Sequence, residues 1–191
     1  MQRTQFGDMT CSIARTLDVI GEPWSPLILR DVMVGIRRFG QIQADLGISR
    51  KVLTERLKWL VDCGVLERRA YSARPPRYEY MLTSKGTDLC DLLMVMVRFG
   101  DRWLAGPAGP PVLYQHHTCG HITTAELRCT HCGAPMHADS IDVLPGPRWR
   151  PARPGDGGRC PLTGRGRAAG ARVGRLSRPL RPAGHTGRRE G

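Results

Sequence analysis

The hydrophobic pattern of this chain changes period at Gly64, and that change constrains the fold more than any other feature. Before it, Leu53, Leu57, Leu60 and Val61 share one face of a helix, with Arg50, Lys51, Thr54, Glu55 and Lys58 opposite. After it, Val65-Leu66-Glu67-Arg68-Arg69-Ala70-Tyr71 alternates with period two, as a strand does. Tyr78-Glu79-Tyr80-Met81-Leu82-Thr83 reads as the returning strand. Proline has no N–H to give to a ladder, so Pro75 and Pro76 place the loop of the hairpin over residues 72–77.

Three shorter helices precede this junction. Ile13, Leu17 and Ile20, with Ala14 beside them, predict a helix over residues 11–20 that Gly21 ends. A second starts near Pro23, where a missing N–H costs nothing, and carries Trp24, Leu27, Ile28 and Val32 as far as Gly35. Pro26 falls in its first turn. Arg37-Arg38-Phe39 is a link with room for one strand bridge. A third helix, about 39–46, turns Phe39, Ile42 and Leu46 inward. Gly47-Ile48 makes a tight turn, and Ser49 caps the fourth helix, residues 50–63. Val52 leaves no capping box there. After the hairpin, Ser84 is expected to cap a long helix over residues 85–104. Its stripe of Leu89, Leu92, Leu93, Met96, Val97, Phe99, Trp103 and Leu104 is too wide for one small domain to cover, which implies a partner subunit.

This order of elements is a winged helix-turn-helix: an α+β, mainly helical fold with a long C-terminal dimerisation helix. Its logic is that the helix after the turn enters the DNA major groove, about 12 Å wide, with a helix N-terminus that favours phosphate. Ser49, Arg50, Lys51 and Thr54 lie on the leading polar edge and are the candidates for base-edge and phosphate contacts. Arg56 and Lys58 read as backbone contacts or solvated charge. Arg74 and Arg77 in the hairpin loop suit the neighbouring minor groove, where arginine is favoured. Arg37 and Arg38 are placed to reach phosphates from the link. Each of these alone is compatible with a solvated surface charge; together they mark one face.

The charge is uneven. The chain has 191 residues and a formal net charge of +12, of which residues 146–191 carry +10, with 12 arginines against two acids. That segment has 11 glycines, six prolines and one aromatic, Trp149. It cannot bury enough apolar surface to offset its ordering entropy, and the expectation is a disordered tail. It suits a nonspecific polyanion-binding arm or a dispensable extension. The longest apolar run, Leu92 to Val97, is six residues against the ~20 of a membrane span. Residues 1–10 show no apolar signal segment. A cytoplasmic, nucleoid-associated protein with no membrane partner is expected. Its seven cysteines would then be thiols or metal ligands rather than a disulfide framework.

Several spaced motifs agree with one family. Cys11, Leu17-Asp18-Val19-Ile20-Gly21, Trp24, Leu27-Ile28-Leu29-Arg30 and Arg37-Arg38-Phe39 occur in order. Ile48-Ser49, Val52-Leu53, Arg56-Leu57, Leu60 and Gly64-Val65-Leu66-Glu67-Arg68 follow, then Pro75, Arg77-Tyr78-Glu79-Tyr80, Leu82-Thr83 and Gly86. From Cys11 to Leu104 the chain resembles the HxlR family of bacterial transcriptional regulators. It departs at Glu22-Pro23, where the family more often has Gly and a basic or polar residue. The resemblance implies a homodimer on double-stranded DNA, paired through the N-terminal helix and the long helix after the wing. It also implies a reactive inducer, an oxidant or electrophile, sensed by a cysteine near the N-terminus, the position of Cys11. A helix N-terminus favours a thiolate there, although a small buried packing residue is an equally ordinary role for cysteine. Cys63 and Cys90 read as packing residues, and Cys160 has no evident partner.

A second constellation lies in residues 106–145, which are net −2. Cys129-Thr-His-Cys132-Gly133 is a zinc-knuckle element, and Cys119-Gly-His121 stands upstream. Cys119, His121, Cys129 and Cys132 would make a tetrahedral structural zinc site, with His116 or His117 as substitutes for His121. A metal would supply cohesion that so short and polar a segment lacks. A ribbon without its metal, or a thiol pair, gives the same pattern. The expected organisation is therefore a winged-helix domain (1–105), a Cys/His-rich ribbon-like segment (106–145) and the tail (146–191). The function expected is an operator-binding dimeric repressor responsive through Cys11. The alternative is a nucleic-acid binder acting through the Cys/His segment and tail. An enzyme is not expected: all six histidines lie at or beyond position 116, away from Cys11, and no phosphate loop or carboxylate pair occurs.

Overall fold

The computed structural model describes Phe6, Met9 and residues 11–147. The tail expected over 146–191, with Cys160, lies outside the described residues apart from Gly146 and Pro147. Four helices come first: α1 (Ser12–Ile20), α2 (Trp24–Met33), α3 (Phe39–Leu46) and α4 (Arg50–Asp62). The hairpin β1 (Leu66–Ala73) and β2 (Pro76–Leu82) follows, then the 20-residue α5 (Ser84–Trp103). Two-residue strands β3 (Tyr114–Gln115) and β4 (Ile122–Thr123) form a second small sheet, and a 3-10 turn covers Ala138–Ser140.

The turn between α3 and α4 closes as its residues dictate. Gly47 sits at φ 60°, a left-handed conformation that glycine adopts without strain. Ser49 is extended, and its Oγ accepts the N–H of Val52 at 3.3 Å. Leu53, Leu57 and Leu60 of α4 are fully buried against Ile28, Leu29 and Val32 of α2 and Ile42 of α3. Val65, Leu66, Cys90 and Leu93 close the same core from the hairpin and α5. Each such side chain contributes about 1.5–3 kcal/mol on burial, so α4 is fixed by one face while its other face stays free.

The hairpin is tighter than its prolines suggest. Pairing runs from Leu66↔Leu82 through Arg68↔Tyr80 and Ala70↔Tyr78 to Ala73↔Pro76. The connecting loop is therefore Arg74-Pro75, and Pro76 and Arg77 belong to β2. Pro76 is the first residue of its strand, where proline is tolerated. The register shifts between Ala70 and Ser72, which leaves Tyr71 as the extra residue of a bulge. Arg38 forms an isolated bridge with Glu79, and the N–H of Tyr80 donates to Arg37 O at 2.8 Å. The link before α3 thus lies along the edge of the hairpin.

The cap of α5 is Thr83, one residue earlier than expected. Its Oγ1 accepts the N–H of Gly86 at 3.2 Å and donates to Gly64 O at 2.7 Å. One hydroxyl serves both elements, which Ser84, already inside the helix, does not. Gly86 then lies directly against Val65 O, a separation that leaves no room for a Cβ. Buried in α2 are two polar side chains, Ser25 and Asp31. Asp31 Oδ1 accepts from Arg30 Nη2 at 2.6 Å, and the same Nη2 bridges to Asp45 at 2.7 Å. Burial raises the Asp31 pKa above its ordinary value, against the lowering effect of Arg30. None of residues 106–147 is buried. Among the described residues no helix is long and apolar enough to cross a membrane.

Candidate nucleic-acid interface

The free face of α4 and the hairpin converge. Arg50, Lys51 and Thr54 are exposed on α4, and Ser49 is exposed at its N-terminus. Thr54 Oγ1 donates to Arg50 O at 2.8 Å, so its oxygen faces outward mainly as an acceptor. Between the start of α3, the start of α4 and the hairpin lies a concavity of about 450 Å³ whose lining includes Arg38, Arg50, Arg68 and Arg77. Four guanidiniums around one hollow make a strongly cationic surface beside an exposed helix N-terminus. Both features favour phosphate.

Aromatic rings hold most of these cations. The Arg38 guanidinium lies over the Tyr71 ring at 4.4 Å, Arg50 over Phe39 at 5.2 Å and Arg68 over Tyr78 at 3.6 Å. Such contacts are worth about 0.5–1 kcal/mol at exposed sites. Arg69 is committed elsewhere, to Glu79 Oε1 at 2.6 Å.

Of the expected DNA-contact residues, Arg38, Arg50 and Arg77 share the concavity, and Ser49, Lys51 and Thr54 stand beside it on the exposed face of α4 and its cap. Arg74 is exposed at the hairpin tip. Arg37 lies apart from the hollow. It is half-buried, its Nε is enclosed without a hydrogen bond among the described residues, and it does not line the hollow. Its carbonyl is fixed by Tyr80, and along an extended edge neighbouring side chains point to opposite sides. Arg38 therefore lines the hollow and Arg37 does not. Arg56 and Lys58 are engaged within the molecule: Arg56 Nε is 3.9 Å from Glu22, and Lys58 pairs with Asp62 at 2.7 Å. Arg68, Tyr71 and Tyr78 also line the hollow, and the sequence pattern alone does not single them out. Alternation along the two strands, once the register is known, is the signal that finds Arg68 and Tyr78.

Cys11 is half-buried at the extended N-cap of α1. The expected metal ligands are not gathered: among the described residues no three His, Cys, Asp or Glu side chains stand close enough to hold an ion. His121 turns its Nδ1 to the Cys119 carbonyl at 2.8 Å, because the β3–β4 pairing folds it back over its own turn. His116, from the other side of that turn, has its Nδ1 3.3 Å from Cys119 Sγ. The Cys129 thiol pKa is lowered by the backbone N–H of Cys132, then by that of His131 and by the Cys132 side chain.

Residues 19–107 match the family model of the HxlR-like helix-turn-helix. The chain is similar to Rv3095, an HTH-type transcriptional regulator of Mycobacterium tuberculosis, at 44% identity over 139 residues, 73% of this chain and 88% of that protein. The crystal structure of PA1607, assigned as a transcription factor, superposes with a TM-score of 0.64 at 35% identity, over 71% of this chain and 94% of that one. PA1374 of Pseudomonas aeruginosa, assigned likewise, gives 0.52 at 38% identity, over 73% and 95%. With a helix-turn-helix, a hairpin wing beside it and relatives matched over most of their length, the chain belongs to the HxlR-like family and is a winged-helix, DNA-binding transcriptional regulator.

Proposed function

We propose that this regulator binds double-stranded operator DNA as a homodimer, with α4 in the major groove and the hairpin wing beside it. The observation that carries this reading is the hollow lined by Arg38, Arg50, Arg68 and Arg77 where the wing meets the start of α4. Ser49, Lys51 and Thr54 extend that surface along the helix, and Arg74 extends it to the wing tip. In this reading arginines of the hollow grip phosphates, while the exposed edge of α4 reads bases.

Pairing is supported by α5 and α1. Met96, Phe99 and Trp103 of α5 are 50%, 61% and 64% exposed, and Ile13 of α1 is 71% exposed. Large side chains so open to water on two elements favour a second subunit. A symmetric dimer sets its two recognition helices about 34 Å apart, one turn of DNA. Cys11, at the start of α1, is then placed beside the pairing surface, where modification by an oxidant or electrophile would alter the spacing of the two readers. On this reading the protein is a repressor released by that modification.

The test is an operator shift with Arg50→Ala/Lys51→Ala. Both side chains are exposed, so the dimer stays folded and shifted DNA is lost. Undiminished binding by that variant would remove this face as the reader.

A further inference from the structure

Residues 116–121 and 129–134 are two copies of one backbone turn. In the first, the N–H of His116 donates to His121 O at 2.9 Å and that of Gly120 to His116 O at 2.8 Å. In the second, the N–H of Cys129 donates to Ala134 O and that of Gly133 to Cys129 O, both at 2.9 Å. Gly120 and Gly133 take the same left-handed conformation, φ 70° and 73°. The sequences align accordingly as His116-His-Thr-Cys119-Gly120-His121 and Cys129-Thr-His-Cys132-Gly133-Ala134. In the first turn the first and fourth side chains meet. His116 Nδ1 is 3.3 Å from Cys119 Sγ, and Cys129 and Cys132 hold the corresponding positions of the second turn.

No apolar core accounts for this repetition. Nothing in residues 106–147 is buried, and each strand of the small sheet has two residues. A segment this short and open needs cohesion from another source. We propose that the two turns are the halves of one tetrahedral zinc site, with His116, Cys119, Cys129 and Cys132 as ligands, and that the ion draws the halves together.

The donor set, three thiolates and one imidazole, suits zinc. The pairing of the turns also removes His121 from the set. His121 follows the left-handed glycine, and its counterpart in the second turn is Ala134, which has no donor. Its Nδ1 lies 2.8 Å from the Cys119 carbonyl, which leaves Nε2 as its one ring nitrogen open to an ion, so the exclusion rests on the alignment of the two turns. The consequence for the molecule is local. Leu127 and Met136 flank the second turn, joined by a 2.8 Å backbone hydrogen bond, and with Val95, Phe99 and Trp103 of α5 they line a hollow of about 270 Å³. An ion at the turns would hold these two side chains against the end of α5. The likeness to the mycobacterial relative reaches this segment. Wherever it begins, a stretch of 139 residues within 191 includes positions 53–139.

The experiment uses the full chain, purified reduced and without a metal-binding tag. Elemental analysis is expected to find one zinc per chain. Cobalt exchanged for it should give a tetrahedral visible spectrum with thiolate-to-metal charge-transfer bands. Competition with a chromophoric chelator should show His116→Ala and Cys132→Ser weakened at least about tenfold, and His121→Ala within about twofold of the parent. Far-UV circular dichroism checks that each variant keeps its helices. The proposal is overturned by a chain that holds no zinc and gives no cobalt bands. It is equally overturned by a Cys129–Cys132 disulfide in place of the metal, or by a site that needs His121 and not His116.

Discussion

Replacing Gly86 by alanine should destabilise this protein, although alanine is the better helix former. The new Cβ would fall inside hard contact with Val65 O, a backbone atom, and 3.1 Å from Leu82 Cδ2. A side chain can swing aside, whereas the carbonyl moves only if α5 lifts from β1. Overpacking of this kind costs about 1–3 kcal/mol. Lifting the helix also strains the bonds from Thr83 to Val65 O and Gly64 O, now 3.1 and 2.7 Å, each worth about 1 kcal/mol. The helix propensity of alanine returns about 1 kcal/mol. The net loss is about 2–4 kcal/mol, which at roughly 2–4 °C per kcal/mol for a chain of this size lowers Tm by at least about 4 °C. Gly40→Ala is the control. Gly40 lies in α3 at an ordinary helical φ with nothing within 4 Å of its Cβ, so there the gain stands alone. Thermal melts followed by circular dichroism, at one fixed protein concentration, compare the two. A Gly86→Ala chain that melts with or above the parent would refute the reasoning.

Asp31→Asn should gain on the parent as pH rises. The folded-state pKa of Asp31 lies above its unfolded value of about 3.8, so the parent is favoured by this group at low pH and loses that contribution as pH climbs through the folded pKa. Urea melts at pH 4 and pH 7 measure the difference, and a relative gain at the lower pH would reverse the sign. Phe99→Glu, at a site 61% exposed in the single chain, should halve the mass seen by light scattering without lowering helix content. An unchanged mass would place the pairing surface elsewhere. Cys11→Ser should abolish the change in operator affinity that an oxidant or aldehyde causes; an equal response in the variant would remove Cys11 as the sensor.

What the sequence made legible follows the range of the interactions involved. Gly47, Ser49 and the Leu53–Leu57–Leu60 stripe act within a few residues of one another, and the structure has α4 where they place it. The hairpin needed contacts across the chain. Pro76 looks like a loop residue until its partner Ala73 is known. Likewise Arg68 looks like one charge among many until register places it beside Tyr78. Thr83 and Ser84 are equally good caps by composition, and the carbonyl of Gly64, nineteen residues earlier, decides between them. Arg37 and Arg38 are chemically identical neighbours, and the edge of the hairpin separates them. In the extension, His116 and His121 both stand near Cys119, and the turn decides which ring meets the sulfur.

The stacked arginines have a kinetic consequence. A guanidinium already resting on a ring has surrendered much of its rotamer freedom before any phosphate arrives, so docking immobilises less. Lysine carries the same charge but has no flat face to lie on Tyr71 or Tyr78, and would reach the backbone as a mobile point charge. If these arginines grip phosphate as proposed, the residence time on DNA, more than the rate of encounter, is what such pre-set guanidiniums would lengthen.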